Sequence, residues 1–278
     1  MNTPGSLFFI GLCGSLAALL IINYLLSLRR KRLAFRRILG SVRLSSPTSY
    51  LADFPLLPPP VERYLSLVIN NNSSRYRLAS LTISGQFRRN ERAGWQRLNA
   101  RAMYNCSEPS FAWFGYFGNL FFHTLTALLT LNNGKGRSSL LFFHSIPLLS
   151  SSGAETDISL LSRYLSEAVY FPFIFRNVKL FKWSPLTETT ASLEMTFLQN
   201  KIHATVAFDS NGYISDITIT DKFRDFKGFF EKQTFHAYYS DYQKFHNILV
   251  PTSLRYSWET SDEDFPYAQL NVSHLSYT

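Results

Sequence analysis

The side chains able to do chemistry are scattered along the chain. Six histidines (His123, His144, His203, His236, His246 and His274) could ligate a metal, yet none stands four residues from another on a helix. No Cys, Asp or Glu cluster completes a ligand spacing either, so they read as ordinary strand and loop residues. Cys106 sits between Asn105 and Ser107 with no activating base nearby, which suits a structural thiol. There is no nucleophile elbow, no phosphate-binding loop and no dinucleotide turn. The Gly-bearing run Asn132–Gly136 is hairpin chemistry, and Asp262-Glu263-Asp264 reads as a solvated tip sooner than a cation site. Arg163 and Glu167 are four apart on a helix and can pair. They would either position that helix or hold a ligand headgroup at a cavity mouth. No catalytic residue, metal or cofactor is expected.

Aromatics are the one excess. The chain holds 25 Phe and 15 Tyr among 278 residues, and Phe111, Trp113, Phe114, Tyr116, Phe117, Phe121 and Phe122 crowd together. Tyr170, Phe171, Phe173 and Phe175 follow the mid-chain helix. Successive strand residues point to opposite faces, so these rings cannot all enter one core. Some face a cavity, a partner or a bilayer, unless the core under the helix is simply thick. The candidate ligand-binding set is Trp113, Tyr116, Phe121, Arg163, Glu167, Tyr170 and Phe171.

The elements that must carry these residues are mostly strands. Alternating or aromatic runs lie at Leu78–Phe87, Trp95–Tyr104, Ser110–Gly118 and Ser138–His144, and Leu120–Leu131 is ambiguous between strand and helix. Six more strands are expected between Ser192 and Tyr277, two of them joined by the Asp209–Gly212 hairpin turn. Helices are expected at Leu56–Asn70, with Pro60 in its first turn, and at Glu155–Phe171, with acids at its start and Pro172 as its stop. The fold class is α+β: an N-terminal transmembrane helix, then a large curved antiparallel sheet (a half-open β-barrel) covered by one or two helices.

Leu7–Leu28 is an uncharged run of twenty-two residues, close to the roughly 20 that cross a 30 Å hydrocarbon core. No Lys or Arg precedes it, which a cleaved signal would need. Of 28 Lys and Arg residues, seven lie between Arg29 and Arg43, and the remaining 21 nearly balance 19 acids. Basicity therefore belongs to the flank Arg29, Arg30, Lys31, Arg32, Arg36 and Arg37, and no nucleic-acid surface is left. The positive-inside rule places the following domain in the cytoplasm, although large domains can translocate regardless. The expected division is 1–28 with the span, 29–55 as basic segment and linker, and 56–278 as one β-rich domain.

In order along the chain, LPPPVERYL (Leu57–Leu65), Gly94-Trp95, PSFAW (Pro109–Trp113), RYLSEAVYFP (Arg163–Pro172), FDSNGYI (Phe208–Ile214) and YSDYQKFHNILVPTSLRYSWE (Tyr239–Glu259) resemble an uncharacterised bacterial family, domain of unknown function 6544. The resemblance covers roughly residues 56–277 and implies a fold, with no activity to carry over. Tyr170 stands where the family usually has Trp, and Ala127–Ser145 lacks its charged, glycine-rich character. A looser likeness is to half-barrel lipoprotein and lipid carriers, whose later strands share this rhythm. That is analogy of fold. The expected function is a non-enzymatic domain on the bacterial inner membrane that binds a lipid or other hydrophobic ligand. An envelope-protein docking domain is the alternative, and an enzyme using, for instance, Glu167 with a strand histidine is the third.

Overall fold

The computed structural model describes residues 4–44, 57–69, 76–119, 122–143, 146–226, 228–260 and 264–278. Thirteen strands form one antiparallel sheet: β1 (Leu78–Phe87), β2 (Gln96–Asn105), β3 (Phe111–Asn119), β4 (Phe122–Asn132), β5 (Lys135–Phe142), β6 (Ile146–Ser152), β7 (Phe181–Pro185), β8 (Thr190–Phe197), β9 (Asn200–Phe208), β10 (Ile214–Phe226), β11 (Phe229–Phe245), β12 (Ile248–Glu259) and β13 (Asp264–Tyr277). The spatial order is β6-β5-β4-β3-β2-β1-β13-β12-β11-β10-β9-β8-β7. Two meanders are therefore fused through the β1–β13 pairing, with Ala79 opposite Tyr277 and Phe87 opposite Ala268. The sheet stays open, with β6 and β7 as its edges. Each edge strand carries a proline, Pro147 and Pro185, tolerable where a missing N–H breaks no ladder.

Among the described residues, three α-helices accompany the sheet. α2 (Pro59–Val68) and α3 (Ala154–Glu167) lie on one face, and their apolar residues join a single continuous core with the inward residues of the strands. α3 stops four residues short of the expected end. The chain tightens into 3₁₀ turns at Ala168–Tyr170 and Pro172–Arg176, because Pro172 disfavours a helical residue before it. Tyr239 Oη donates to Ser166 O at 2.5 Å and Tyr277 Oη to Tyr170 O at 2.6 Å, satisfying carbonyls that a helix end leaves open.

α1 (Pro4–Leu44) does not end with the apolar run but continues through the arginine flank. It is the one helix among the described residues long and apolar enough to cross a membrane. Its C-terminal part packs on the opposite, outer face of the sheet, where Ala34 and Ile38 are buried with Leu78 and Ala112. That packing explains why Phe111 through Gly115 are buried without alternation. Odd positions face the core and even ones face α1. The expected linker falls at residues 45–56, outside the described residues.

Candidate functional site

α3 is the roof of the site, and its first turn is pinned. Asp157 accepts from the Gly136 backbone N–H at 2.6 Å and pairs with Lys135 at 3.2 Å. A Cβ on Gly136 would fall 2.9 Å from Thr156 O, so glycine permits this close approach. On its other side, Ser159 Oγ donates to Phe223 O at 3.0 Å. The helix thus bridges β5 and β10 across the inner face.

Arg163 and Glu167 project from this roof into a polar knot. Glu167 is 1% exposed. Its carboxylate accepts from Arg163 Nη2 at 2.9 Å, from Tyr256 Oη at 3.0 Å and from Tyr104 Oη. Burial first, and the Glu167 charge second, hold the Tyr104 and Tyr256 hydroxyls well above the ordinary 10.0, so both remain donors. Burial opposes the Arg163 charge, but Glu167 together with the Tyr256, Tyr104 and Tyr267 hydroxyls more than offsets it, and the guanidinium is held above its ordinary value. The guanidinium stacks 4.8 Å from the Trp113 ring and 5.9 Å from Tyr256. Gly115 leaves the indole its place, since a Cβ there would lie 2.2 Å from it.

Below this knot, a partly enclosed cavity of about 430 Å³ opens between α3 and the sheet. Leu98, Phe117, Leu125, Leu129, Leu140 and Leu149 give it an apolar wall. Trp258 and Tyr267 form an aromatic side, and Arg163 and Arg224 line it with charge. Its volume falls in the range of small-molecule sites, roughly 300–1,000 Å³.

A bulge in β10 adds a further cation. Register with β11 slips between Ile219 and Lys222, leaving Thr220 and Asp221 exposed. The slip shifts the alternation, so that Lys222 and Arg224, in place of Asp221 and Phe223, follow Ile217 and Ile219 inward. Lys222 is 5% exposed. Its ammonium lies 3.3 Å from the Phe235 centroid and 5.4 Å from Trp258, and no described carboxylate is within ion-pair distance. Burial and then the nearby Arg163 charge push its pKa well below the usual 10.5, with Glu167 opposing.

Of the residues expected at a site, Trp113 and Arg163 line the cavity. Glu167 sits one helical turn behind, and Tyr170 and Phe171 are buried in the core beyond it, Phe171 5.5 Å from Tyr104. Tyr116 is not brought to them. It lies on the outer face, where Lys31 Nζ is 5.9 Å from its ring. Phe121 lies outside the described residues, as do His144, Asp262 and Glu263. In the flank, Arg29, Arg32, Arg36 and Arg37 are exposed, while Arg30 and Lys31 are half-buried. The cavity residues missed from sequence are Arg224, Tyr256, Trp258 and Tyr267, and Lys222, buried against Phe235, was missed with them. The available signal was the break in alternation after Ile219.

The profile of the family of unknown function DUF6544 matches residues 47–270. No curated protein matches the chain. Solved structures similar to it include a domain assigned to outer-membrane lipoprotein sorting from Vibrio parahaemolyticus, at 9% identity over 72% of this chain and 85% of that one, with a TM-score of 0.41. A LolA-superfamily protein from Nitrosomonas europaea shows 9% identity over 79% and 92%, with a TM-score of 0.41. A DUF1329-family protein from Desulfovibrio piger shows 10% over 78% and 91%, also at 0.41.

Proposed function

We propose that this chain, which belongs to the family of unknown function DUF6544, is a membrane-tethered, non-enzymatic domain that binds a hydrophobic ligand drawn from the adjacent bilayer. The cavity under α3 carries the reading. Burying an alkyl chain against its leucines and rings contributes about 25 cal/mol per Å² of apolar surface removed from water. Glu167 already has Arg163, Tyr104 and Tyr256 as partners. These partners support a holding role for the carboxylate, which fixes the roof to the sheet.

The direction of α1 supports the tether. Ala34 and Ile38 pack with Ala112, whereas Lys31 lies over Tyr116, four residues further along β3. The helix therefore runs antiparallel to β3, and its apolar half points past the end of the sheet that carries the β3–β4 turn. Antiparallel order puts the neighbouring β1–β2 and β5–β6 turns at that same end. The β5–β6 hairpin exposes an apolar pair there, Phe142 with Ile146. Between Leu28 and Ala34 the helix rises only about 9 Å, so a span ending at Leu28 holds this rim against the headgroups. Residues 1–28 then carry the span, 29–55 the basic segment, and 56–278 the binding domain. The exposed arginines favour the cytoplasmic side of a bacterial inner membrane for that domain.

The test uses the purified full chain and an Ala127→Trp variant, whose indole would fill the cavity. Solvent extraction and mass spectrometry should find a lipid enriched with the natural chain and depleted in the variant. Equal, bulk-like lipid in both would refute the reading. C-terminal phosphatase and fluorescent-protein fusions report the side of the membrane. Docking to an envelope protein is the second reading, favoured by the open edge of β6 with Leu148 and Leu149 exposed beside it. Crosslinking that captures one dominant partner, with no enriched lipid, would support it.

A further inference from the structure

Two cations from different elements meet on the outer face of the sheet, at the level where α1 leaves it. Lys31 Nζ lies 5.9 Å from the Tyr116 ring and 6.0 Å from that of Phe35. Asn99 is the residue opposite Tyr116 on β2, so Arg101 is the diagonal neighbour of the same ring on the same face. Burial first, and then the Arg101 charge, hold the Lys31 ammonium below its usual 10.5. Arg101 also acts on the Tyr116 hydroxyl, where it opposes the upward pull of burial. Like charges repel, yet the packing of Ala34 and Ile38 on the sheet fixes this pair in place.

No acid answers them. Among the described residues, no carboxylate is within ion-pair distance of Lys31, Arg97 or Arg101. The outward row of β2 reads Arg97, Asn99, Arg101 and Met103, and Gln86, Ser84 and Thr82 stand opposite the first three on β1. Glu91, on the β1–β2 turn, pairs with Arg224 at 3.7 Å. Glu259 and Asp264 lie beyond β1, on β12 and β13. With strands about 4.8 Å apart, they stand farther from β2 than a Debye length of about 8 Å. Lys31 follows Leu28 by a rise of about 4.5 Å, within the roughly 5–7 Å that headgroups occupy beside the hydrocarbon.

We propose that the seam between α1 and β2 holds an anionic phospholipid of the bilayer that α1 spans, its phosphate taken by Lys31 and Arg101 and its remaining headgroup laid toward Arg97. This rests on the reading that residues 7–28 span the membrane. The phosphate accepts charge-assisted hydrogen bonds from both side chains. Lys31 is half-buried, so the attraction is screened less than at a water-exposed lysine. A zwitterionic lipid brings its own cation to the same place and meets repulsion from Arg97. A free phosphate offers the same oxygens but no acyl chains to lie beside α1.

The test titrates the purified full chain, in a neutral detergent, with phosphatidylglycerol, phosphatidylcholine or inorganic phosphate, and reads bound lipid by native mass spectrometry. Phosphatidylglycerol should bind about tenfold more tightly than phosphatidylcholine, the order expected of paired cations at a headgroup. Lys31→Gln and Arg101→Gln should each remove most of that preference. Arg36 is exposed on the side of α1 turned away from the sheet, so Arg36→Gln removes the same charge and should keep the preference. Equal binding of the two lipids, or a loss in Arg36→Gln as large as in Lys31→Gln, overturns the site. Displacement of the lipid by inorganic phosphate assigns the seam to a free anion and overturns the lipid. Alkaline carbonate extraction of native membranes judges the tether separately. A chain that stays with the membranes leaves the tether standing whatever the titration shows, and a chain that is released overturns both.

Discussion

Glu167 and Lys222 lie in the same knot, yet removing each should move stability in opposite directions. Glu167→Gln strips Arg163 of its counter-ion in a buried setting and should cost about 3–5 kcal/mol, measured by denaturant unfolding. Adding Arg163→Met should return much of that loss, because the orphaned charge goes with it. Lys222→Met replaces an unpaired buried ammonium with an apolar chain of similar shape, and should stabilise the protein by on the order of 1–4 kcal/mol. The two should also differ in slope against pH. The folded Lys222 pKa is depressed, so between that value and 10.5 the unfolded chain binds the extra proton, and the natural protein's stability rises with pH there. Lys222→Met should abolish that rise, and identical slopes would place the ammonium in water. Arg163 and Glu167 were legible from their spacing on an amphipathic helix. Lys222 was not, since a bulge defeats any reading by strict alternation. The parity of β3 shows a related limit. Trp113 and Tyr116 must face opposite ways, but both parities are aromatic, and only α1 packed on the outer face decides which is inward.

Regular elements were read most closely where one face meets water. β2 and β9 alternate inward and outward and lie within two residues of where expected, because register and burial agree in them. β6 and β7 went unread. Their sequences, IPLLSSS and FKWSP, are short and hold a proline, and edge strands are held by one neighbour only. The hairpin β5–β6 gives a prediction at this scale. If its exposed apolar side chains meet the bilayer, Ile146→Trp should be quenched by brominated lipid in proteoliposomes and emit to the blue. Leu67→Trp, on α2 beside Gly212 at the other end of the sheet, should be neither quenched nor shifted. Quenching that fails to distinguish the two ends would remove the bilayer-facing rim.

At the scale of the molecule, the last strand is also a central one. β13 pairs with β1 and β12, so the first and last strands of the domain meet in the middle of the sheet. Pairing across nearly 200 residues leaves no local mark, which is why the curved sheet was readable as a class and its strand order was not. The same closure gathers tyrosines around the end of α3 and the start of β10. Tyr239 and Tyr242 donate to Ser166 O and Ile214 O, as Tyr104 and Tyr256 do to Glu167. Burial is the first cause that raises all four pKa values well above 10.0. The unfolded chain loses these protons near pH 10 while the folded chain keeps them. Their contribution is therefore whole below pH 10 and is lost as pH rises toward the folded values. Four such groups remove about 5 kcal/mol per pH unit in that window, comparable to the roughly 5–15 kcal/mol that holds a domain folded. Tyrosinate absorbance should consequently rise late and steeply, together with loss of near-UV dichroism, in one cooperative alkaline transition. A gradual rise centred on pH 10 with the fold intact would mean that water already reaches these hydroxyls, and that the knot under α3 is looser than its hydrogen bonds require.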